Sequence, residues 1–377
     1  MKYSYCNTTK IFFASDLSDI SNFLNELGFT KVLVISGGDN TSNIAKKIED
    51  FLNDAFLVKA VYGVRTNPRV EKIDEIVKVS RVFCPDVILT IGGGSVHDTG
   101  KAVSVMINQE GEIEEYTVNG TKSVPGIKKV TPVITVPTIC GSGAEVSPAS
   151  LIKINDEKRV IFSPLLHPIA SFVFDEFAIS IPKAVIARSV FDSFIQALEG
   201  YISTCANCIS DSFAEIVFHK FIETFDSVIN GTLNDKDIEK LYIASIFSSY
   251  VCSTASVGAI HAISNSISGH FDIHHGTALA MIAKSVLEKN LQDVLESRIQ
   301  SLCKILNIES GKESLIEYIE TMIDKMDLLY GITVKKISES EFNEMILESN
   351  NGDMNGNPRH FSDKEIKEVL GEWYEVE

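Results

Sequence analysis

The first half of the chain alternates short runs of β-branched and other apolar residues with segments of helical spacing. Runs with the length of a buried strand lie at residues 31–36, 56–62, 86–91, 132–136 and 171–174. Between them, residues 40–53 and 70–83 place apolar side chains at helical intervals. A strand, helix, strand repeat packs as a parallel sheet with helices on both faces. We therefore predict a Rossmann-like α/β domain with a mostly parallel sheet.

The pattern changes near residue 180, and the second half of the chain is predicted to be helical. Segments with helical spacing lie at 184–204, 209–228, 236–265, 277–306 and 312–327. Pro182 follows the last strand candidate and suits the first turn of a helix. We predict an α/β domain over residues 1–180 and an all-α domain over residues 181–377. The boundary has no linker rich in Gly, Ser or Pro, so we expect the two domains to pack closely around a cleft.

Charge and composition exclude several classes of partner. The chain of 377 residues has 34 Lys and Arg against 51 Asp and Glu, a formal net charge of −17, and we find no basic cluster. We therefore predict no nucleic-acid partner and no binding to anionic membranes. The N-terminus lacks a signal-peptide pattern, and no run of 18 apolar residues is present. Together with an odd number of scattered cysteines, these features predict a soluble, cytoplasmic protein with reduced thiols.

Three consecutive glycines join a strand candidate to a helix candidate in the segment DVILTIGGGSVHDTGK. Gly92, Gly93 and Gly94 let the backbone approach a ligand closely. The helix begins near Ser95, and the free amides at its start attract phosphate oxygens. The segment predicts a pyrophosphate cradle, although a strand-to-helix turn without a ligand has the same pattern.

Polar side chains extend this candidate site in two directions. Asp98 and Lys101 lie on the first turns of the same helix, where they can bind a ligand or each other. Thr138 and Ser142 lie in a second glycine-bearing turn, VPTICGSGAE, which follows the next strand. Because successive parallel strands end at one edge of the sheet, we expect both turns to face one ligand. If no ligand binds there, Thr138 and Ser142 simply cap turns.

Histidines and carboxylates are concentrated in two segments of the helical half. Asp192, Gln196 and Glu199 share one face of a predicted helix, at positions i, i+4 and i+7. Four of the eight histidines fall within GAIHAISNSISGHFDIHHG, namely His261, His270, His274 and His275. A carboxylate on one helix and several imidazoles on another suit a divalent metal. The alternative is a set of buried polar residues that bind only one another, and spacing alone leaves both open.

Several stretches resemble motifs of the iron-containing, or group III, alcohol dehydrogenases, which belong to the dehydroquinate synthase-like superfamily. GGGSVHDTGK is similar to the family's G-G-G-S-P-x-D-x-A-K, and PTICGSGAE is similar to T-x-x-G-T-G-S-E. VYGVRTNPRV resembles the family's segment after the second strand, and DMNGNPR resembles its closing G-N-P-R. Their order and spacing match over nearly the whole chain. The resemblance implies a dinucleotide-binding domain over residues 1–180 and a helical metal- and substrate-binding domain over 181–377.

The resemblance also implies one divalent metal, Fe²⁺ or Zn²⁺, held by an aspartate and three histidines. Position by position, these ligands match Asp192, Gln196, His261 and His275. Gln196 departs from the family because it offers a neutral amide oxygen in place of an imidazole nitrogen, and we expect the metal to bind less tightly. Asn265 also departs, since many relatives have a further histidine near the substrate at this position.

A weaker metal places more of the catalysis on nearby hydrogen-bond donors. His270, His274 and Asn265 are the candidates for this catalytic role. The prediction is contradicted for the two histidines if their exchange for alanine leaves turnover unchanged.

The choice between NAD and NADP depends on the end of the first predicted parallel strand, in VLVISGGDN. An acidic residue directly after this strand would bind the ribose hydroxyls and disfavour the 2′-phosphate of NADP. Gly37 occupies that place and so allows NADP, whereas Asp39, two residues later, can still reach the ribose. Both cofactors stay open.

These features predict an NAD(P)-dependent alcohol dehydrogenase or aldehyde reductase. We expect hydride transfer between nicotinamide and a small polar alcohol or aldehyde, for example a phosphonoaldehyde or a sugar acid, with the metal as Lewis acid. One alternative is a nucleotide-binding homologue with a weakened or lost metal site and little turnover. Another is a lyase or cyclase of the dehydroquinate synthase type, which the glycine and G-N-P-R motifs disfavour. The resemblance also suggests a homodimer.

Overall fold

The computed structural model describes residues 6–118, 120–122, 126–155, 157–179 and 181–377, without the side chains of Asp39, Asn40 and Ile179. The chain divides into two compact units between residues 180 and 181. No single helix in the described ranges is long and apolar enough to cross a membrane. One pair of helices, Asp235–Ala255 and Ala259–Phe271, passes that test only when it is taken together across a bend of 110°.

The N-terminal unit is built on a six-stranded parallel sheet. The strands of the unit are β1 (Lys10–Phe13), β2 (Lys31–Gly37), β3 (Leu57–Val64), β4 (Val87–Gly92), β5 (Val133–Pro137), β6 (Ala149–Ile154), β7 (Glu157–Phe162) and β8 (Ala170–Val173), and all of these except β6 and β7 belong to the sheet. The sheet has the order β1-β8-β5-β4-β2-β3, and all its neighbouring pairs are parallel. β4 and β5 are buried along their whole length, as expected for a parallel sheet with both faces covered. The predicted α/β fold is confirmed.

Helices cover both faces of this sheet because side chains alternate along the strands. The helices are α1 (Ser18–Glu26), α2 (Asp39–Leu52), α3 (Val70–Phe83), α4 (Gly94–Met106) and α5 (Asp175–Ile179). Val32 and Val34 of β2 pack in one core with α1 and α2. Leu33 and Ile35, which point to the opposite face, pack in a second core with α3 and α4.

Strands β6 and β7 form an antiparallel hairpin outside the main sheet. The apolar runs do not predict these strands, because polar residues interrupt both of them. The hairpin lies beside α4, where Ala149 O accepts a hydrogen bond from Lys101 Nζ. The hairpin therefore contacts Lys101, one of the predicted nucleotide-binding residues.

The C-terminal unit is mainly helical. Its elements are α6 (Lys183–Ile202), α7 (Cys208–Asn230), α8 (Asp235–Ala255), α9 (Ala259–Phe271), α10 (His275–Asn290), α11 (Glu296–Leu306), α12 (Lys312–Lys325), β9 (Lys335–Ile337), α13 (Glu339–Ser349), α14 (Asp363–Leu370) and β10 (Tyr374–Val376). β9 and β10 form a small parallel pair. The unit is therefore not entirely α-helical, but the helical second half that the sequence predicts is present.

Two predicted helices are each divided in the structure. The segment 236–265 breaks between α8 and α9, where Ser256 has a left-handed φ of 68°. The segment 277–306 divides between α10 and α11. The first break matters for the site because it creates a new helix start next to His261. Gly258 precedes that start, and a Cβ there would crowd Asn357 Oδ1 and Glu199 Oε1.

Candidate metal centre and nucleotide-binding loops

Helix α6 carries a row of polar side chains on a buried face. Asp192, Gln196 and Glu199 are all less than 9% exposed, within a helix that is buried along most of its length. Their spacing places them about one turn apart on the same face. Buried polar groups need partners, and these three residues have partners on α8, α9 and α10.

Glu199 joins α6 to the start of α9. Its Oε1 accepts a hydrogen bond from the amide of Ile260 at 2.7 Å, and its Oε2 accepts one from the amide of His261 at 3.3 Å. Oε2 also lies 2.6 Å from His261 Nδ1. The carboxylate therefore satisfies free amides at a helix N-terminus and fixes the imidazole of His261 with the same group.

The imidazole of His261 bridges two carboxylates. With Nδ1 bound to Glu199, its Nε2 lies 3.3 Å from Asp192 Oδ1. Burial disfavours the charged ring, but the hydrogen bonds to Asp192 and Glu199 outweigh it and raise the pKa of His261 to about 10. In this arrangement Glu199 holds Nδ1, so that Nε2 faces Asp192.

His275 approaches the same carboxylate from α10. Its Nε2 lies 3.9 Å from Asp192 Oδ1, and its ring centroid lies 5.4 Å from that of His261. α10 comes this close because the next residue is Gly276, where a Cβ would overlap the backbone of Arg188 on α6. Burial alone would raise the pKa of Asp192, but His275, His261 and the nearby His274 hold it below its ordinary value.

Asp192, His261 and His275 form a compact set of possible metal ligands. One ligand atom from each residue lies within 4.8 Å of the others. Two imidazoles and a carboxylate are a donor set that suits Fe²⁺, Zn²⁺ or Mn²⁺. The second nitrogen of His261 is held by Glu199, which is the support that metal-bound histidines usually have. The residues present therefore fit a divalent metal.

Gln196 lies beside this set, with its amide in contact with Asp192. Its Nε2 is 3.2 Å from Asp192 Oδ1, and its Oε1 is 2.9 Å from the hydroxyl of Ser248 on α8. The structure thus brings together all four residues that match the family's metal ligands. In the orientation shown, the nitrogen of the amide faces the carboxylate.

The three predicted catalytic residues lie in different surroundings. Asn265 is one turn beyond His261 on α9, and its Nδ2 donates to Asp353 Oδ2 at 3.2 Å. His274 precedes α10, and its Nδ1 accepts a hydrogen bond from the amide of Gly276. His270 lies against α13, with Nε2 3.1 Å from Glu348 and Nδ1 3.6 Å from Glu341. The catalytic role of each stays a prediction.

Several site residues are not found by the sequence reasoning. Asp353 is partly buried next to Asn265, and this burial raises the pKa of its carboxyl group. Asn357 accepts a hydrogen bond from the amide of Ala259 at the start of α9. Both belong to the C-terminal stretch DMNGNPR, so the motif that supports the family resemblance also marks them. Ser248 has no such signal, because it is one of several serines in an ordinary helix.

In the N-terminal unit, the two glycine-bearing turns lie against each other. A Cβ on Gly94 would lie 2.7 Å from Ser142 Oγ, and one on Gly93 would lie 2.9 Å from a methyl group of Ile139. Thr138 donates its amide to Gly92 O at 3.0 Å. The glycines therefore allow the close contact between the ends of β4 and β5.

The start of α4 carries the other predicted nucleotide-binding residues. The helix begins at Gly94, followed by Ser95, and its N-cap residue is Gly93, which has no side chain to cap the first amides. Gly37 ends β2, and a Cβ there would lie 2.6 Å from Thr41 Oγ1. Asp39 is the first residue of α2, but its side chain lies outside the described residues.

Lys101, which is fully buried, pairs with the partly buried Asp98 on α4. Lys101 Nζ donates to Ala149 O at 2.7 Å and lies 3.7 Å from Asp98 Oδ1. Burial raises the pKa of Asp98 to about 6, although Lys101 opposes this shift. Burial also lowers the pKa of Lys101. The two residues therefore contact each other, and the binding of a ligand by either stays a prediction.

Comparisons with known proteins agree with the motifs. The family model described as iron-containing alcohol dehydrogenase matches residues 7–174, and the model for the C-terminal part of the same family matches residues 186–374. An NADPH-dependent butanol dehydrogenase of Clostridium saccharobutylicum is 27% identical, with 92% of each chain covered. A lactaldehyde reductase of Escherichia coli K12 is 25% identical, with 82% of this chain and 81% of the relative covered.

A solved structure extends the likeness to the fold. The sulfoacetaldehyde reductase of Bifidobacterium kashiwanohense, solved in complex with NAD+, superposes with a TM-score of 0.84 at 21% identity, with 99% of each chain covered. At this identity the likeness shows the fold alone. The family models carry the assignment further, because together they match nearly the whole chain. The chain therefore belongs to the iron-containing alcohol dehydrogenase family and is an oxidoreductase that acts on CH–OH groups.

Proposed function

We propose that this protein is an NAD(P)-dependent, metal-assisted reductase of a small polar aldehyde, or a dehydrogenase of the corresponding alcohol. The observation that carries the proposal is the convergence of Asp192, His261 and His275. Family membership supports a divalent metal and NAD(P) as cofactors. Relatives that reduce aldehydes, such as the lactaldehyde reductase, support the substrate class.

The metal would be held by Asp192, His261 and His275, with Gln196 as a fourth ligand. When bound, it would supply Lewis-acid polarisation of the substrate oxygen. Glu199 holds the ring of His261 through Nδ1, which leaves Nε2 directed at the ion. The helix starts of α9 and α10 place the two imidazoles, so the site does not depend on flexible loops.

Asn265 and Asp353 extend the polar surface next to the metal ligands. An amide does not exchange a proton at ordinary pH, so Asn265 would orient a polar substrate rather than relay a proton. Its Oδ1 is buried and has no hydrogen-bond partner among the described residues. This acceptor supports a substrate that carries a hydroxyl or another donor. A phosphonoaldehyde or a sugar acid stays within that class.

The nucleotide would bind in the N-terminal unit, at the turns that follow β4 and β5. Gly92, Gly93 and Gly94 leave the start of α4 open to pyrophosphate, and Thr138 and Ser142 line the second turn. Gly37 permits the 2′-phosphate of NADP, so the proposal includes both NAD and NADP as cofactors. The proposal also includes a homodimer, and size-exclusion chromatography with light scattering would measure the oligomeric state.

A second candidate function is favoured by Gln196 itself. If the amide does not support a metal, the protein is a nucleotide-binding homologue with little turnover. The distinguishing result is then tight binding of NADH or NADPH with no oxidation of either.

One experiment separates the two functions. Metal content is measured in protein purified without chelator, and oxidation of NADH and NADPH is followed with a panel of polar aldehydes before and after addition of Fe²⁺, Zn²⁺ or Mn²⁺. We expect metal-dependent oxidation that Asp192→Asn abolishes, because the variant loses the central carboxylate. Absence of metal and of turnover under every condition would contradict the first function.

A further inference from the structure

The side-chain amide of Gln196 connects two buried groups on neighbouring helices. Its Nε2 lies 3.2 Å from Asp192 Oδ1 on α6, and its Oε1 lies 2.9 Å from Ser248 Oγ on α8. Gln196 is 8% exposed and Ser248 is 0% exposed. Both contacts are therefore shielded from bulk water, and their donors and acceptors must match.

The hydroxyl of Ser248 cannot satisfy both of its oxygen neighbours. Its Oγ lies 2.8 Å from the backbone oxygen of Ser245 and 2.9 Å from Gln196 Oε1. A hydroxyl has one proton to donate, and a backbone carbonyl only accepts. If the proton goes to Ser245, the Oγ of Ser248 needs a donor. A half-turn of the Gln196 amide places its nitrogen there.

This half-turn also exchanges the atom that faces Asp192. With the amide nitrogen next to the carboxylate, the contact is a hydrogen bond to a charged acceptor and is favourable without a cation. With the amide oxygen there, two oxygens face each other, and the contact is repulsive unless a cation lies between them. The two orientations therefore require different charges between Gln196 and Asp192.

We infer that Gln196 is a metal-responsive ligand whose orientation is set by the ion and by Ser248 together. Without a metal, Nε2 donates to Asp192. With a metal, Oε1 turns to the ion, Nε2 donates to Ser248 Oγ, and the hydroxyl proton of Ser248 goes to Ser245. Ser248 is thus a positioning residue that stabilises the ligating orientation of the amide. This inference rests on the metal of the proposed function.

The test is a double-mutant cycle on metal binding by the full chain. Mn²⁺ affinity is measured by titration calorimetry for the wild type, Ser248→Ala, Gln196→Glu and the double variant. In the wild type, loss of the hydroxyl is expected to weaken Mn²⁺ binding by about tenfold, as for other groups that support a ligand. In the Gln196→Glu background both ends of the side chain are oxygens and no turn is needed. In that background, loss of the Ser248 hydroxyl is expected to weaken Mn²⁺ binding by less than about threefold.

Matched variants control for simple loss of a buried hydroxyl. Ser349 is also buried in a helix and donates to the carbonyl four residues earlier, Met345 O, so Ser349→Ala is expected to leave Mn²⁺ affinity unchanged. If Ser248→Ala does not fold, as judged by circular dichroism, Ser248→Cys keeps a side chain of similar shape with a weaker acceptor. It is expected to weaken binding in the same background-dependent way.

The outcomes separate this inference from the proposed function. Equal losses in both backgrounds, or no loss in the wild type, overturn the inference even if aldehydes are reduced. If the four Mn²⁺ affinities follow the expected pattern but no aldehyde is reduced, the inference stands and the result counts against the proposed function. Failure of every variant to bind Mn²⁺ overturns the inference together with the metal of the proposed function.

Discussion

At the scale of single residues, Glu199 binds both the start of a helix and a candidate metal ligand. It accepts hydrogen bonds from two amides at the start of α9 and contacts the ring of His261. It is 2% exposed, so its charge is balanced mainly by these partners rather than by water. The same residue therefore affects both the helix start and the metal ligand.

We expect Glu199→Gln to weaken metal binding by about 10- to 100-fold, the usual effect of losing the partner of a metal-bound histidine. The amide oxygen of the variant can still accept from Ile260, so the fold is retained. Zn²⁺ affinity, measured by competition with a chromophoric chelator, tests this. Glu365→Gln is the control, because Glu365 supports the start of α14 through Ser362. An equal loss in both variants would contradict a local effect at His261.

Gln196→His should raise the affinity for Zn²⁺ more than that for Mn²⁺. Imidazole nitrogen suits Zn²⁺, whereas an amide oxygen suits Mn²⁺. The ratio of the two dissociation constants, measured on one preparation, reports the change without reference to activity. His270→Gln serves as control, since His270 contacts Glu341 and Glu348. If the ratio does not move, residue 196 does not face the ion.

At the scale of elements, the starts of two helices bring the candidate ligands together. α9 begins after the break at Ser256–Gly258, and α10 begins at His275. Gly276 allows α10 to approach α6, because a Cβ there would overlap the carbonyl of Arg188. Backbone atoms cannot move aside as easily as a flexible side chain, so this contact is stiff.

Gly276→Ala is expected to lower the free energy of unfolding by about 1–3 kcal/mol, the usual cost of overpacking. It should also weaken metal binding, because His275 is displaced with the helix start. Urea unfolding and Mn²⁺ titration give the two readouts. Gly352→Ala is the comparison, since its nearest neighbour is Asn355 Nδ2 at an ordinary 3.9 Å. Comparable destabilisation by both changes would rule out the proposed crowding.

The elements that the sequence predicts are those with a local signal. Continuous apolar runs predict β2, β4 and β5 because these strands are buried on both faces. The break between α8 and α9 depends on Asn357 and Glu199, which are distant in sequence from it. The local pattern of apolar residues therefore predicts one continuous helix across the break. Residue spacing marks Asp192, His261 and His275 as candidates, and the family resemblance implies that they are metal ligands. The pairing of Gln196 with Ser248 needs the three-dimensional structure.

At the scale of the whole molecule, the two units differ in how their buried charges are arranged. The C-terminal unit places histidines against carboxylates, whereas the N-terminal unit buries His97 beside Thr90. Burial, with the nearby positive charge of Lys101, lowers the pKa of His97 to about 3. The N-terminal unit therefore holds this ring in its neutral form at ordinary pH.

This burial predicts that His97 makes a contribution to stability that acid removes. Below pH 6.5 the unfolded chain binds a proton on His97 that the folded chain does not bind. The contribution of His97 to the free energy of unfolding should then fall by up to about 1.4 kcal/mol per pH unit between 6.5 and 3. Urea unfolding at several pH values between about 7 and 4 measures this slope. His97→Gln should flatten it, while exposed His360→Gln gives the baseline. An unchanged slope in His97→Gln would contradict the prediction.

The order of strands in the sheet has a consequence for how the protein is made. β1, near the start of the chain, pairs along its length with β8, Lys10 opposite Ala170 and Phe13 opposite Val173. During synthesis the first strand leaves the ribosome long before its partner exists. Its edge of the sheet forms only after β8 has emerged, so the nascent N-terminal unit exposes an unpaired strand until that point. Chaperone capture or aggregation of stalled nascent chains should therefore fall sharply once residue 173 has cleared the exit tunnel.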